Sequence, residues 1–172
     1  PRKMEKYKRV IYLIRDPRDV VLSHHRYHRH LRGYSEGFDS FFFDWLNGRV
    51  WPCSWQEHVC SWTQNETSSQ PFELHIMRYE DLLSAPHFEL QKVADFLGVQ
   101  TTEQDLERSV FAASPESMRL KEKRGMPEGE YAERFHFIGD ATAKQWKNRL
   151  QPDQIDLIIK YAGDLMADFN YL

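Results

Sequence analysis

Cysteine is scarce in this chain: only Cys53 and Cys60 occur in 172 residues. Two thiols so close in sequence exclude a disulfide framework and fit a reducing compartment, and both read as small buried side chains. Long hydrophobic runs are also missing. No stretch approaches the roughly 18 apolar residues that a membrane span needs, and the opening residues do not read as a signal peptide, so we expect a soluble, cytoplasmic protein. Charge of one sign is lacking too, with 23 Lys and Arg against 26 Asp and Glu and a formal net charge of -3. That balance leaves no general footprint for nucleic acid, and any anion site must be local. Internal repeats and low-complexity tracts are absent. The chain therefore reads as a single domain over residues 1–172.

Two stretches have the character of strands. "KRVIYLI", Lys8 to Ile14, is a short run rich in β-branched and aromatic residues and is closed by Asp16-Pro17; it reads as a buried strand. "FELHIMR", Phe72 to Arg78, alternates Phe72, Leu74 and Ile76 with Glu73 and His75, which predicts one apolar face. About sixty residues separate the two, far more than a hairpin allows and ample for a parallel crossover. Helical spacing fills that gap. Pro17 suits a first helical position and predicts a helix from Pro17 to His30. Phe38, Phe41, Phe42 and Trp45 predict a second over Phe38–Asn47, stopped at Gly48, and Trp55, Val59 and Trp62 a third over Trp55–Asn65. These aromatics read as core.

Further helices are predicted over His87–Leu97, ending at a left-handed Gly98, and from a capping box at Thr101 and Gln104 to Val110. Ser114-Pro115 is another start signal, whereas the polar run "RLKEKRGMPEGEYAER" reads as a solvated, mobile loop. The last helix, Pro152 to Phe169, carries Ile155, Ile158, Ile159, Ala162, Leu165, Met166 and Phe169 on one stripe. The class is α/β, with few strands and many helices.

One stretch carries chemistry. In open parallel sheets ligands gather beyond the carboxyl ends of strands, where helix N-termini converge. Arg15 stands at such an edge, where a helix start offers N–H groups and a guanidinium can fork onto two phosphate oxygens. Ser23, farther along the helix, can donate to the same anion without adding charge. Asp16 and Asp19 would repel that anion unless they cap the helix or hold Arg15 and Arg18. Spacing alone leaves a second reading open, with Arg15 a surface ion-pair partner and Ser23 an ordinary polar residue. The four histidines of "SHHRYHRHLR" pose a separate question. His24 and His28 lie one turn apart as zinc ligands can, but no Cys or carboxylate is arranged to complete a site, so a solvated basic face is preferred and no metal is expected.

"RVIYLIRDPRDVVLSHHRY" resembles the 3′-phosphate signature of the cytosolic-type sulfotransferases, in which an Arg and a Ser eight apart hold the 3′-phosphate of PAPS (3′-phosphoadenosine 5′-phosphosulfate). "FFFDWLNGRVWPCSWQEHVCSW" resembles that family's helical insert, "MRYEDLLSAPHFELQKVADFLGV" its second strand and following helices, and "QWKNRL" its near-terminal tryptophan and basic segment. The resemblance implies a sulfotransferase fold related to P-loop kinases, a parallel sheet wrapped by helices and truncated at the N-terminus. It implies sulfuryl transfer from PAPS to a hydroxyl or amine of a small-molecule or glycan acceptor, with adenosine 3′,5′-bisphosphate as product. Arg15 and Ser23 would clasp the 3′-phosphate, and Tyr79 in "RYEDL" would lie near the adenine, although a packing role for Tyr79 is equally open. Tyr27 falls where the family places an acceptor-lining aromatic, and ordinary packing is the preferred alternative there. "KNRLQPDQID" faintly resembles the short dimer segment of some relatives, which makes a homodimer one expectation.

The departures are as informative. The family's glycine-and-lysine phosphosulfate loop and its catalytic-base histidine belong upstream of Pro1, and no other Gly-rich loop with a Lys is present. We therefore expect a piece of a longer reading frame without turnover of its own, in preference to a degenerate relative, because the Arg15–Ser23 pair is intact. The family's Arg-Lys-Gly stretch maps onto Gly139, Asp140 and Ala141, with Arg134 or Lys144 as substitutes, and Pro115 stands where an adenine-stacking aromatic is common. A noncatalytic nucleotide-binding or scaffold module of the same fold is the alternative function.

Overall fold

The computed structural model describes residues 7–63, 72–125, 138–139 and 141–172. Among them, β1 (Arg9–Ile14) leads into α1 (Pro17–Leu31), α2 (Phe38–Leu46) and α3 (Trp55–Thr63), and then β2 (Glu73–Arg78). Helices α4 (Tyr79–Ser84), α5 (Pro86–Leu97), α6 (Glu103–Ala112) and α7 (Pro115–Gly125) follow; a 3₁₀ turn (Gln145–Asn148) then precedes α8 (Pro152–Asp168). The two strands pair in a parallel sheet, as the long helical crossover between them predicts.

The chain divides into two compact units. The first holds α1 to α3 and everything from Lys144 onward. Its core is built from Val21, Phe41, Phe42, Val59, Ile158 and Met166, each at most 1% exposed. These residues supply the apolar stripes read from the sequence, and side chains of this kind stabilise by about 1.5–3 kcal/mol each when fully buried. Gly48 ends the turn after α2 at φ +69°, a conformation that L side chains rarely adopt.

The second unit holds residues 9–13 of β1 and the span from β2 through α7 to Ala143. Arg9 ties its elements together, pairing with Glu73 at 3.2 Å and donating to the Leu97 carbonyl at 2.7 Å. Gly98 closes α5 at φ +72°, as its position predicts.

Four local expectations change. β1 is not buried on both faces: Tyr12 and Ile14 are buried, while Ile11 and Leu13 are 39% and 48% exposed. In β2 the inner residue is Met77, with Ile76 exposed, so the apolar alternation runs opposite to the prediction; His75, on the Met77 side, packs on Phe96 with ring centroids 5.2 Å apart. The capping box is Thr102 with Asp105, one residue beyond Thr101 and Gln104, and its reciprocal bonds are 3.0 Å (Thr102 N–H to Asp105) and 3.2 Å (Asp105 N–H to Thr102). Residues 119–125 of the expected loop are the end of α7, where Arg119 donates to the Gly139 carbonyl at 2.9 Å and Lys121 to the Ala112 carbonyl at 2.8 Å. The remainder of that run, with Arg134 and Asp140, lies outside the described residues.

Candidate functional site

The corner between β1 and α1 is assembled from "RDPRD". Ile14 ends the strand, 2% exposed, and Pro17 opens the helix at N1. Between them Asp16 acts as N-cap, its carboxylate accepting the Arg18 backbone N–H at 2.9 Å. The same carboxylate takes the Arg18 guanidinium in a fork, Nε to Oδ1 at 2.9 Å and Nη2 to Oδ2 at 2.8 Å. Arg18 is thereby committed to structure. It also donates to the Tyr171 carbonyl at 2.5 Å and lies over the Trp146 ring, 3.9 Å from its centroid.

Asp19 is the second anchor. Its side chain has no exposure, and it accepts the backbone N–H groups of Lys144 (2.7 Å, Oδ2) and Trp146 (3.0 Å, Oδ1). Its Oδ2 also lies 3.5 Å from Nη2 of Arg15. The Trp55 indole N–H donates to the Arg15 carbonyl at 3.1 Å. The corner is thus clamped by α3, by the Lys144–Trp146 segment and by the C-terminal residues, all within the first unit.

This arrangement revises the anion site. The first-turn N–H groups are not directed at a ligand: Arg18 N–H bonds to the Asp16 side chain, and Asp19 and Val20 N–H to the Asp16 carbonyl at 3.0 and 2.9 Å. What faces outward is side-chain chemistry. The Arg15 side chain is 22% exposed and Ser23 is exposed, so neither is sealed in the core. Asp19 and Ser23 stand one turn apart on α1, which is unbroken from Pro17 through Ser23; Arg15 precedes the N-cap and meets Asp19 across the helix start at 3.5 Å. Asp16 and Asp19 hold Arg18 and Arg15 instead of repelling an anion on their own.

Tyr27, one turn beyond Ser23 on α1, is half-buried, with its ring 5.5 Å from that of His28 and 5.8 Å from the Arg32 guanidinium. Tyr79 is the first residue of α4, immediately after β2, and half-buried in the second unit. Three of the four α1 histidines, His24, His25 and His28, are half-buried and not on a solvated face, while His30 is exposed. His25 packs on Phe38 and Phe41 at 5.2 and 5.1 Å, His28 on Phe41 at 5.6 Å, and the rings of His24 and His28 stand 5.3 Å apart. Burial pushes the imidazoles of His24, His25, His28 and His58 below their ordinary value. Neighbouring cationic groups act in the same direction: His28 and His58 on His24, Arg29, Arg149 and His30 on His25, and Arg32 on His28. Among the described residues no group of three or more His, Cys, Asp and Glu could hold a metal ion.

Sequence reasoning missed two members of the corner. Trp55 reads as core, and it is 8% exposed, but its indole N–H also fixes the Arg15 carbonyl. The Lys144–Trp146 attachment to Asp19 spans more than 120 positions and leaves no local pattern; Lys144 and "QWKNRL" mark the segment only by resemblance.

The corner joins the end of a parallel strand to a Pro-initiated helix, with the Arg15 side chain 22% exposed where they meet. The sulfotransferase domain model matches residues 1–170, and the chain belongs to that family. Among curated proteins, Sulfotransferase 2A6 of Mus musculus is 26% identical over 166 residues, covering 94% of this chain and 57% of the relative. Retinol dehydratase, solved with retinol and PAP, superimposes with a TM-score of 0.76 at 23% identity over 98% of this chain and 50% of its own. Mouse sulfotransferase SULT7A1, solved with PAP, gives 0.71 at 20% identity over 90% and 58%. The fold is that of the sulfotransferases. The chain spans a little over half the length of the curated relatives it matches. Among the described residues no helix is long and apolar enough to cross a membrane.

Proposed function

We propose that the chain is the 3′-phosphate-binding portion of a PAPS-dependent sulfotransferase, which transfers a sulfuryl group to a hydroxyl or amine of a small-molecule or glycan acceptor. The observation that carries this reading is the Arg15 corner: a partly exposed guanidinium fixed through Asp19 at the end of a parallel strand, with Ser23 exposed two turns into the helix that follows. The family match, and the PAP bound in the related structures, agree with it. In this reading the reaction breaks the S–O bond between the sulfuryl group and the 5′-phosphate of PAPS. The acceptor oxygen or nitrogen takes the sulfuryl group and loses a proton, and adenosine 3′,5′-bisphosphate leaves.

The residues of this chain bind and orient. Arg15 donates N–H groups to the 3′-phosphate, Ser23 adds a neutral donor, Tyr79 borders the adenine and Tyr27 lines the acceptor side. We assign no catalytic base within these residues. One sulfotransferase-like domain over residues 1–172, a cytoplasmic setting and a homodimer through "KNRLQPDQID" belong to the same proposal. Sedimentation tests the last.

Calorimetric titration with adenosine 3′,5′-bisphosphate tests the reading. We expect binding that prefers this ligand to adenosine 5′-phosphate and loses the preference in Arg15→Ala, by about tenfold or more for a charge-assisted fork. A native chain that does not distinguish the two nucleotides would refute it and leave a scaffold module of the same fold.

A further inference from the structure

The C-terminal end of α1 gathers aromatic rings about one cation. Arg32 caps the helix, its backbone N–H donating to the His28 carbonyl at 3.0 Å. Its guanidinium stands 5.8 Å from the centroid of the Tyr27 ring and 6.0 Å from that of Trp51, which lies in the connection between α2 and α3. Both distances sit at the outer edge of a cation–π contact, so the rings orient the guanidinium without occupying its N–H groups. The surroundings are open: Arg32 is exposed, Trp51 is 69% exposed, and Leu31, one turn beyond Tyr27, is 47% exposed. All four residues belong to the first unit.

No ion pair includes Arg32 among the described residues. The carboxylates of Glu36 and Asp44 act on Tyr34, and Asp44 pairs with Arg49 at 3.6 Å. The charge of Arg32 falls on His28, where it joins burial in holding the imidazole below its ordinary value. A cation at a helix C-terminus is favourable in itself, but that effect needs neither Tyr27 nor Trp51. From Ser23 to Arg32 the helix rises about 14 Å, so this guanidinium meets a different group from the one proposed for Arg15 and Ser23. What it offers is a two-pronged fork for a planar anion, beside flat rings against which an aromatic body can lie.

We propose that Arg32, held between Tyr27 and Trp51, selects acceptors that carry a carboxylate on an aromatic ring. The inference rests on the acceptor-side placement of Tyr27 in the proposed function and goes beyond it, giving the acceptor a charge and a shape. The carboxylate meets the guanidinium fork, and the ring lies against Tyr27, Leu31 and Trp51.

Ligand-observed NMR titration of the full chain with 4-hydroxyphenylacetate and its uncharged analogue 4-hydroxyphenylacetamide tests the assignment. We expect a preference of about five- to tenfold for the carboxylate, lost in Arg32→Gln and only partly kept in Arg32→Lys, whose ammonium cannot fork. Trp51→Ser should weaken both ligands about equally and keep the preference. Because the position is exposed, Arg32→Gln should melt with the native protein. Glucuronate, a carboxylate without an aromatic ring, should bind no better than the amide; binding equal to that of 4-hydroxyphenylacetate would overturn the aromatic part. A native chain indifferent to the carboxylate, or a preference that survives Arg32→Gln, would overturn the role of Arg32. Adenosine 3′,5′-bisphosphate titrated into the same samples reports on Arg15 separately. A native chain without the 3′-phosphate preference overturns the function; one that keeps it but ignores the carboxylate overturns the role of Arg32 alone.

Discussion

An Asp19→Asn substitution removes a charge and an acceptor from a carboxylate with no exposure, at nearly constant volume. The native carboxylate accepts N–H groups at 2.7 and 3.0 Å on its two oxygens and lies 3.5 Å from Arg15. Asparagine has one acceptor oxygen, so one backbone N–H keeps a neutral bond while the other meets the amide NH₂, donor against donor. Hydrogen bonds to a charged group are worth about 1.5–3 kcal/mol, and a buried donor left without a partner costs about 1–3 kcal/mol. The Arg15 contact is longer and partly solvated, and contributes no more than about 1 kcal/mol. The expected loss is about 3 kcal/mol. For a chain of this size each kcal/mol moves the midpoint by about 2–4 °C, so Tm should fall by about 6–12 °C. Scanning calorimetry reads this loss, and tryptophan fluorescence reports whether Trp146 is released with it. Ser23→Ala, on an exposed position of α1, should stay within about 0.5 kcal/mol and serves as the control. A midpoint shift below about 2 °C in Asp19→Asn would refute the claim that Asp19 fastens the Lys144–Trp146 segment to α1.

His24, His25 and His28 of α1 predict acid sensitivity. Their folded values lie below the ordinary 6.5, chiefly through burial, so the unfolded chain binds protons first as the pH falls. The stability they contribute is complete above pH 6.5 and is lost as the pH drops through the lowered folded values; Tm should decline between pH 7 and 5, less steeply in His25→Phe, whose ring can keep the contacts with Phe38 and Phe41. Equal slopes in the two proteins would remove His25 from this account. Arg18→Lys should cost about 1–3 kcal/mol in urea unfolding, because an ammonium cannot reproduce the fork onto Asp16 together with the stack on Trp146. An unchanged urea midpoint would show that charge alone suffices there.

The site was legible where its cause is local and illegible where it is not. "RDPRD" announces a strand end, a cap and a Pro-initiated helix within five letters, and the aromatic stripes of α2 and α3 place the core against which that helix packs. Local rules failed by small margins elsewhere. Two threonines stand side by side before α6, and the one that caps is chosen by Asp105 at N3, a shorter partner than the Glu or Gln usual in a capping box. Helix α4 is six residues long, too short for a 3.6-residue period to register, and it has no side-chain cap. The polarity of α7 hides a helix whose Lys121 reaches back to the Ala112 carbonyl and whose Arg119 reaches on to that of Gly139 instead of covering an apolar face.

The Asp19 clamp belongs to a different category. Its partners, Lys144 and Trp146, lie 125 and 127 positions away, and no periodicity connects them. From the letters alone an aspartate four residues after Arg15 is a liability in an anion site, and only tertiary structure turns it into the group that holds Arg15 and the Lys144 backbone to one point. The same buried carboxylate thus pairs with one cation and fastens a distant segment by its backbone. In the proposed function, a phosphate at the corner competes with Asp19 for Arg15, and the looser 3.5 Å contact yields to it more readily than the 2.7 Å bond that fastens the Lys144 backbone.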